Sequence, residues 1–394
     1  MMNLFFLCFI YIIGGALCGD FNVMDYGAKP YGKNDNAKAF MDTWKAACDS
    51  GESATIQIPK GNYWMGPANF TGPCKNVSSI EMKLEARGHL KAETDLNKYP
   101  TGDWIFFGWI DGLTIIGSGT FDGQGDAIWH LNDCAKNQNC KLLPTSLKFN
   151  NMSNTIIDGI ISVDSKNVNF GIIHSQNFKA RNLKIHAPKD SPNTDGIHVE
   201  RCLDVTIENA RIMTGGDCIA IGQGVSNIHI SGIACGPGHG ISVGSLGKYP
   251  EEKDVKDIVV RDSIISGTLN GLRIKTWADS PSKSAVFNIT YENIIMNSVY
   301  NPIIIDQLYC PHGTCPDESS PSKVKISDIT FNDIRGTSAS DVAVTLRCSK
   351  MFPCTNIKLN DIDIDNNKAK RPAKSNCMNI KPSYSGIQGP LPCK

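Results

Sequence analysis

Nine short phrases along the chain alternate apolar and polar residues and close on Gly, Asn or Asp or run into a second apolar pair: DGLTIIG, SNTIIDG, NFKARNLKI, LDVTIENARI, SNIHISGI, KDIVVRDSI, FNITYENII, SDITFNDIRG and TNIKLNDIDI. This is the period of a half-buried β-strand, and β-branched residues are enriched in it. One inward position taken from each phrase gives Ile115, Ile157, Ala180, Ile207, Ile230, Val260, Tyr291, Phe331 and Leu359, at intervals of 42, 23, 27, 23, 30, 31, 40 and 28 residues. A sandwich would place turns every roughly 8 to 12 residues, and a doubly wound sheet would need amphipathic helices between the strands. Neither pattern is present. Short strands that recur at one-coil intervals predict an all-β solenoid, a single-stranded right-handed parallel β-helix in which each coil stacks on the last.

Before the repeat the pattern changes. NAKAFMDTWKAACDSG, residues 36–51, places Ala39, Phe40, Trp44, Ala47 and Cys48 on one helical stripe. A short N-terminal helix there would cap the open end of the solenoid and shield its first strand edges. Although 394 residues would ordinarily suggest two or three domains, the repeat and its cap merge into one, residues 19–394.

Composition adds compartment more than chemistry. The 39 basic and 39 acidic residues cancel, so no global footprint for nucleic acid is present. Residues 1–18 read as a signal peptide: apolar from Leu4 to Ile13, with Ala16 and Cys18 at the −3 and −1 positions before Gly19. No later segment is long and apolar enough to span a membrane. Thirteen further cysteines fit an oxidising, extracellular destination. Neighbours in sequence suggest the pairs Cys134 with Cys140, Cys218 with Cys235, Cys310 with Cys315, Cys348 with Cys354 and Cys377 with Cys393; Cys48 with Cys74 would be a sixth, leaving Cys202 as a free buried thiol. CPHGTC, with His312, could instead ligate zinc, but a secreted chain more often oxidises such cysteines. No metal or cofactor is expected. Sequons stand at Asn69, Asn76, Asn151 and Asn288. A capped β-helix has no evident need to oligomerise, so a monomer is expected.

Candidate chemistry follows from the coil period. Residues one coil apart become neighbours at about 4.8 Å on one face of the stack. Asp195, in SPNTDGIHVE, precedes Asp217, in TGGDCIAIG, by 22 residues, and His239, in GPGHGISVGS, follows after 22 more. A later coil carries GLRIKTW, whose Arg273 and Lys275 share one side of their strand. Singly these are bland: Asn193 and Asp195 suit a turn, the glycines around His239 suit a bend, and RIK suits a solvated strand. At one-coil intervals they gather two carboxylates, an imidazole and two cations on one stripe.

In order and spacing, NTDG, GDC, GHGISVGSLG and RIKTW resemble the four signature segments of the polygalacturonases, glycoside hydrolase family 28, and most resemble the plant, pollen-type members. The likeness runs from FNVMDYGAKPYGKNDNAKAF to the C-terminal cysteines. It implies a pectin-lyase-like β-helix, secreted to the cell wall, that hydrolyses α-1,4 linkages of pectin or polygalacturonate with inversion, and the pollen-type likeness leans towards exo action. It further implies that Asp195 and Asp217 activate water, that His239 tunes a catalytic carboxylate, and that Asn193, Arg273, Lys275 and Tyr309 bind substrate. The chemistry agrees, since each galacturonate carries a carboxylate that Arg273 and Lys275 suit.

One position departs from the pattern. The family's second segment resembles G-D-D-C, and its first Asp is the general acid; here that place is Gly216. Inverting hydrolysis needs a proton donor as well as a base. Three functions are therefore compared: a hydrolase with weak activity or a substitute acid, a pectin-binding protein that no longer cuts, and a pectate lyase. The lyase would need clustered carboxylates for Ca²⁺, which these segments do not match.

Overall fold

A computed structural model describes residues 18–134, 137, 139–311, 321–368 and 371–393. The leader expected at residues 1–18 falls almost wholly outside them, as do His312 and Cys315.

Each coil contributes two strand segments to a 21-stranded sheet and one to an 11-stranded sheet. In one coil these are Ser153–Asp158, Ile161–Val163 and Phe170–Ile173. In later coils the first two fuse, as in Ala285–Val299 and Lys325–Ser338. Coil-to-coil pairing is parallel.

The inward positions chosen from sequence are the observed partners. Ile115, Ile157, Ala180, Ile207, Ile230, Val260, Tyr291, Phe331 and Leu359 pair successively, each with the next. The same column runs on beyond the phrases, through Phe21, Ile56 and Met82 at one end and Tyr384 at the other. The solenoid therefore begins with Cys18–Asn22, well ahead of residue 110. Its first coils are spaced like the later ones, with the helix Ala37–Cys48 lying between the first two strands.

The expected helix forms over Ala37–Cys48 and buries Ala39, Phe40, Trp44, Ala47 and Cys48 against the first coils. A second inner column, unmarked in the sequence reading, belongs to the short sheet: Ile105, Leu147, Phe170, Ile197, Ile219, Ile241, Leu272, Ile303 and Val344. All nine are buried. Burying a column of such side chains removes most of their apolar surface from water, worth about 1.5–3 kcal/mol for each full side chain.

Aromatic residues stack in the same way. Phe107 lies between Phe70 and Phe149, with ring centroids 5.0 and 5.1 Å apart, and Phe149 meets Phe178 edge-on. On the outer corners, Asn154, Asn177, Asp257 and Asn288 adopt left-handed backbone, and side chains hydrogen-bond from coil to coil: Asn177 donates to Asn154, Asn154 to Asp111 and Asn288 to Asp257. Such corners tolerate Asn and Asp best after Gly. All four sequon asparagines are exposed.

Five of the anticipated disulfides are present: Cys48–Cys74, Cys134–Cys140, Cys218–Cys235, Cys348–Cys354 and Cys377–Cys393. Cys310 is also disulfide-bonded. Cys202 is free and buried, and burial pushes its thiol up to about 11.

Because Phe107 touches a ring on either side, Phe107→Ala should lower unfolding stability by about 3–5 kcal/mol, read by denaturant unfolding. A loss below ~1 kcal/mol would show that the stack can collapse around the void.

Candidate active site

Three turns entering the short sheet carry the chemistry. Ile197, Ile219 and Ile241 pair across neighbouring coils, and two residues before each lie Asp195, Asp217 and His239. Backbone bonds lock these turns together: the Gly196 amide donates to the Asp217 carbonyl at 2.9 Å and the His239 amide to the Gly216 carbonyl at 2.7 Å. Buried hydroxyls add a second lock, with Thr194 Oγ1 2.5 Å from Ser191 Oγ and 2.6 Å from Thr214 Oγ1. The Cys218–Cys235 disulfide fixes the chain directly after Asp217.

Asp217 is the centre of the cluster. Its Oδ1 accepts from Arg273 Nη2 at 2.8 Å and from Ser242 Oγ at 2.8 Å, while Oδ2 accepts from Lys275 Nζ at 2.9 Å. Side-chain exposure is only 5% for Asp217, 12% for Arg273 and 9% for Lys275, so little water competes. Burial by itself would raise the Asp217 pKa, but Lys275 and Arg273, with the hydrogen bonds of Lys275 and Ser242, outweigh it and hold the carboxyl below its ordinary value. Asp217 is therefore held in its ionised form.

Arg273 and Lys275 reach the cluster from a different register. Arg273 pairs with Ser242, not with His239, and lies two coils from Asp217. Their length brings the charges back to the carboxylate. Ser242 bridges them, accepting from Arg273 Nε at 2.9 Å while donating to Asp217. The sequence reading missed Ser242, although it stands inside the GHGISVGS segment. A serine in a glycine-rich strand gives no signal of its own.

The remaining residues surround this core. The Lys275 ammonium lies 5.5 Å from the Tyr309 ring centroid, and Tyr309 packs edge-on against Trp277 at 5.6 Å. Asn193 is exposed with φ 53°, its amide donating to Asn167 Oδ1 at 3.0 Å. His239 is partly buried; burial, opposed by Asp217 and reinforced by Arg273 and Lys275, keeps its imidazole below the ordinary pKa.

Asp195 sits where Gly216 leaves room. A Cβ built on Gly216 would stand 2.2 Å from Asp195 Oδ1 and 2.7 Å from the Asp195 amide nitrogen. Gly216 has no left-handed φ, so its requirement is this close approach and not backbone freedom. Asp195 Oδ1 accepts from the Asp217 amide at 2.8 Å, and no other hydrogen bond to the Asp195 carboxyl is formed among the described residues. Burial, then the neighbouring Asp217 charge, push the Asp195 carboxyl up to about 6.

A family model described as Glycosyl hydrolases family 28 matches residues 48–386, most of the chain. The chain belongs to glycosyl hydrolase family 28. It is 46% identical over 370 residues to an exopolygalacturonase of Platanus acerifolia, covering 94% of this chain and 96% of that one. It is 44% identical to a polygalacturonase of Brassica napus, covering 91% and 89%. Among solved structures, a hyperthermoactive exopolygalacturonase from Thermotoga maritima superposes with TM-score 0.71 at 18% identity, over 92% of this chain and 91% of that one, a likeness of fold. The family 28 chain is thus a glycoside hydrolase, and the lyase reading drops away.

Two variants test the geometry. Asp217→Ala strands two nearly buried cations, and breaking a buried pair of this kind should cost about 3–5 kcal/mol of unfolding free energy; an unchanged denaturation midpoint would mean that the cations re-pair or hydrate. Gly216→Ala overpacks the turn, with an expected cost of about 1–3 kcal/mol and loss of the Asp195 contact to the Asp217 amide. A neutral effect would show that the Asp195 turn yields freely.

Proposed function

We propose that this family 28 hydrolase acts on polygalacturonate in the plant cell wall, after secretion and removal of residues 1–18, and cleaves α-1,4-galacturonosyl linkages from a chain end with inversion. The observation that carries the reading is the Asp217 cluster. An ionised carboxylate held between Arg273 and Lys275, one coil from Asp195, supplies a base for water beside cations suited to a uronate. When substrate enters, its carboxylate competes for the outward hydrogens of Arg273 and Lys275, and Tyr309 and Asn193 border the sugar. His239 lies beside the cluster with its imidazole pKa lowered by burial. The exopolygalacturonase and polygalacturonase relatives support this substrate class and the wall as its place.

Gly216 favours a second reading, a protein that binds pectin and does not cut it, because the position of the family's proton donor carries no side chain. Loss of general acid catalysis typically removes about 10²- to 10⁴-fold in rate. The readings separate in one assay: the mature protein with polygalacturonate and a chelator, followed by monomer release and by polymer binding. Steady release of galacturonate monomer supports the exo hydrolase. Binding without any release identifies the silent binder, and release of internal oligomers only would exclude exo action.

A further inference from the structure

Hydrolysis without a donor at 216 requires that another group bring the proton. Asp217 is excluded by its three charge-assisted or hydroxyl bonds and its ionised state. Burial keeps the His239 imidazole below its ordinary pKa, so less of it carries the extra proton than in water. Glu200, on the strand that follows Asp195, is held ionised by its hydrogen bond from His198, with Arg201 and Gln223 adding to it. Asp195 remains, and it alone occupies the volume that a side chain at 216 would begin to fill.

We propose that in this chain Asp195 is the proton donor to the glycosidic oxygen, acting from the space that Gly216 vacates. The inference rests on the hydrolase reading above.

Two features of the site fit that role. Asp195 Oδ1 is taken by the Asp217 amide, so a proton on the carboxyl resides on Oδ2, which makes no hydrogen bond among the described residues and is free to give it away. The two carboxyls are also in different states, one protonated in mildly acidic medium and the other ionised, the division of labour that glycoside hydrolysis uses. In the step, the Asp195 proton passes to the glycosidic oxygen as the bond from that oxygen to C1 breaks. Water adds to C1, and its proton passes to the Asp217 carboxylate. Solvent then reprotonates Asp195 and deprotonates Asp217, and the atoms balance.

The role differs from that of a water-activating base in one measurable respect: an acid is dispensable when the leaving group is already good. The test compares wild type with Asp195→Asn, which keeps an oxygen for the Asp217 amide, on polygalacturonate and on dinitrophenyl α-galacturonide. As donor, the Asp195→Asn variant should lose about a hundredfold or more in kcat/KM on the polymer and stay within about tenfold of wild type on the aryl substrate. Wild-type kcat/KM on the polymer should also fall as pH rises past about 6, where Asp195 gives up its proton, and the aryl substrate should lack that limb. Equal losses on both substrates would overturn the proposal and return Asp195 to the base. Retained activity of the variant on the polymer would overturn it too. Retained polymer binding checks that the variant is folded. Wild type that binds the polymer but cleaves neither substrate sinks the hydrolase reading itself, a result the variant does not confuse.

Discussion

Each inner coil of this molecule makes its backbone hydrogen bonds with the coil before and the coil after. That constraint fixes register. Since side chains alternate in and out with a period of two, a slip of one residue in any coil would turn its isoleucines outward and its polar residues into the core. Ile197, Ile219 and Ile241 are therefore held opposite one another, and the turns just ahead of them, with Asp195, Asp217 and His239, are held opposite one another as well. The site is a consequence of core packing one or two residues away.

The same stacking explains how so many charges can be concentrated. A carboxylate with 5% exposure beside two cations would be costly if any partner were missing. Rigid coils bring Ser242, Arg273 and Lys275 to Asp217 from two separate strands, so that both carboxylate oxygens find donors. The ion cluster is in turn a positioning device. It holds Asp217 ionised; the Asp217 amide positions the Asp195 carboxyl, and burial followed by the Asp217 charge raises the Asp195 pKa.

Gly216 shows how a single missing side chain propagates in such a frame. The backbone at Gly216 has no left-handed conformation, and the Asp195 carboxyl from the neighbouring coil lies against it. With Asp195 placed as it is here, a side chain at 216 would begin 2.2 Å from Asp195 Oδ1.

Much of this was legible in the chain. The alternation of apolar and polar residues identified the column from Ile115 to Leu359 with its register intact, because one buried residue per coil is what a parallel stack demands. The stripe from Ala39 to Cys48 identified the helix for the same reason at a different period. Spacing alone aligned Asp195, Asp217 and His239. What the linear pattern left undetermined were contacts made by side chains across unequal coils: Arg273 and Lys275 reaching back to Asp217, Ser242 between them, and Asp195 inside the space of Gly216. The first coils, around Phe21, Ile56 and Met82, were likewise not marked, although their strands pair in the same column. Backbone periodicity is local and repeats in the sequence, whereas the reach of a long side chain and the filling of a void depend on three-dimensional distances, which only the packed structure sets.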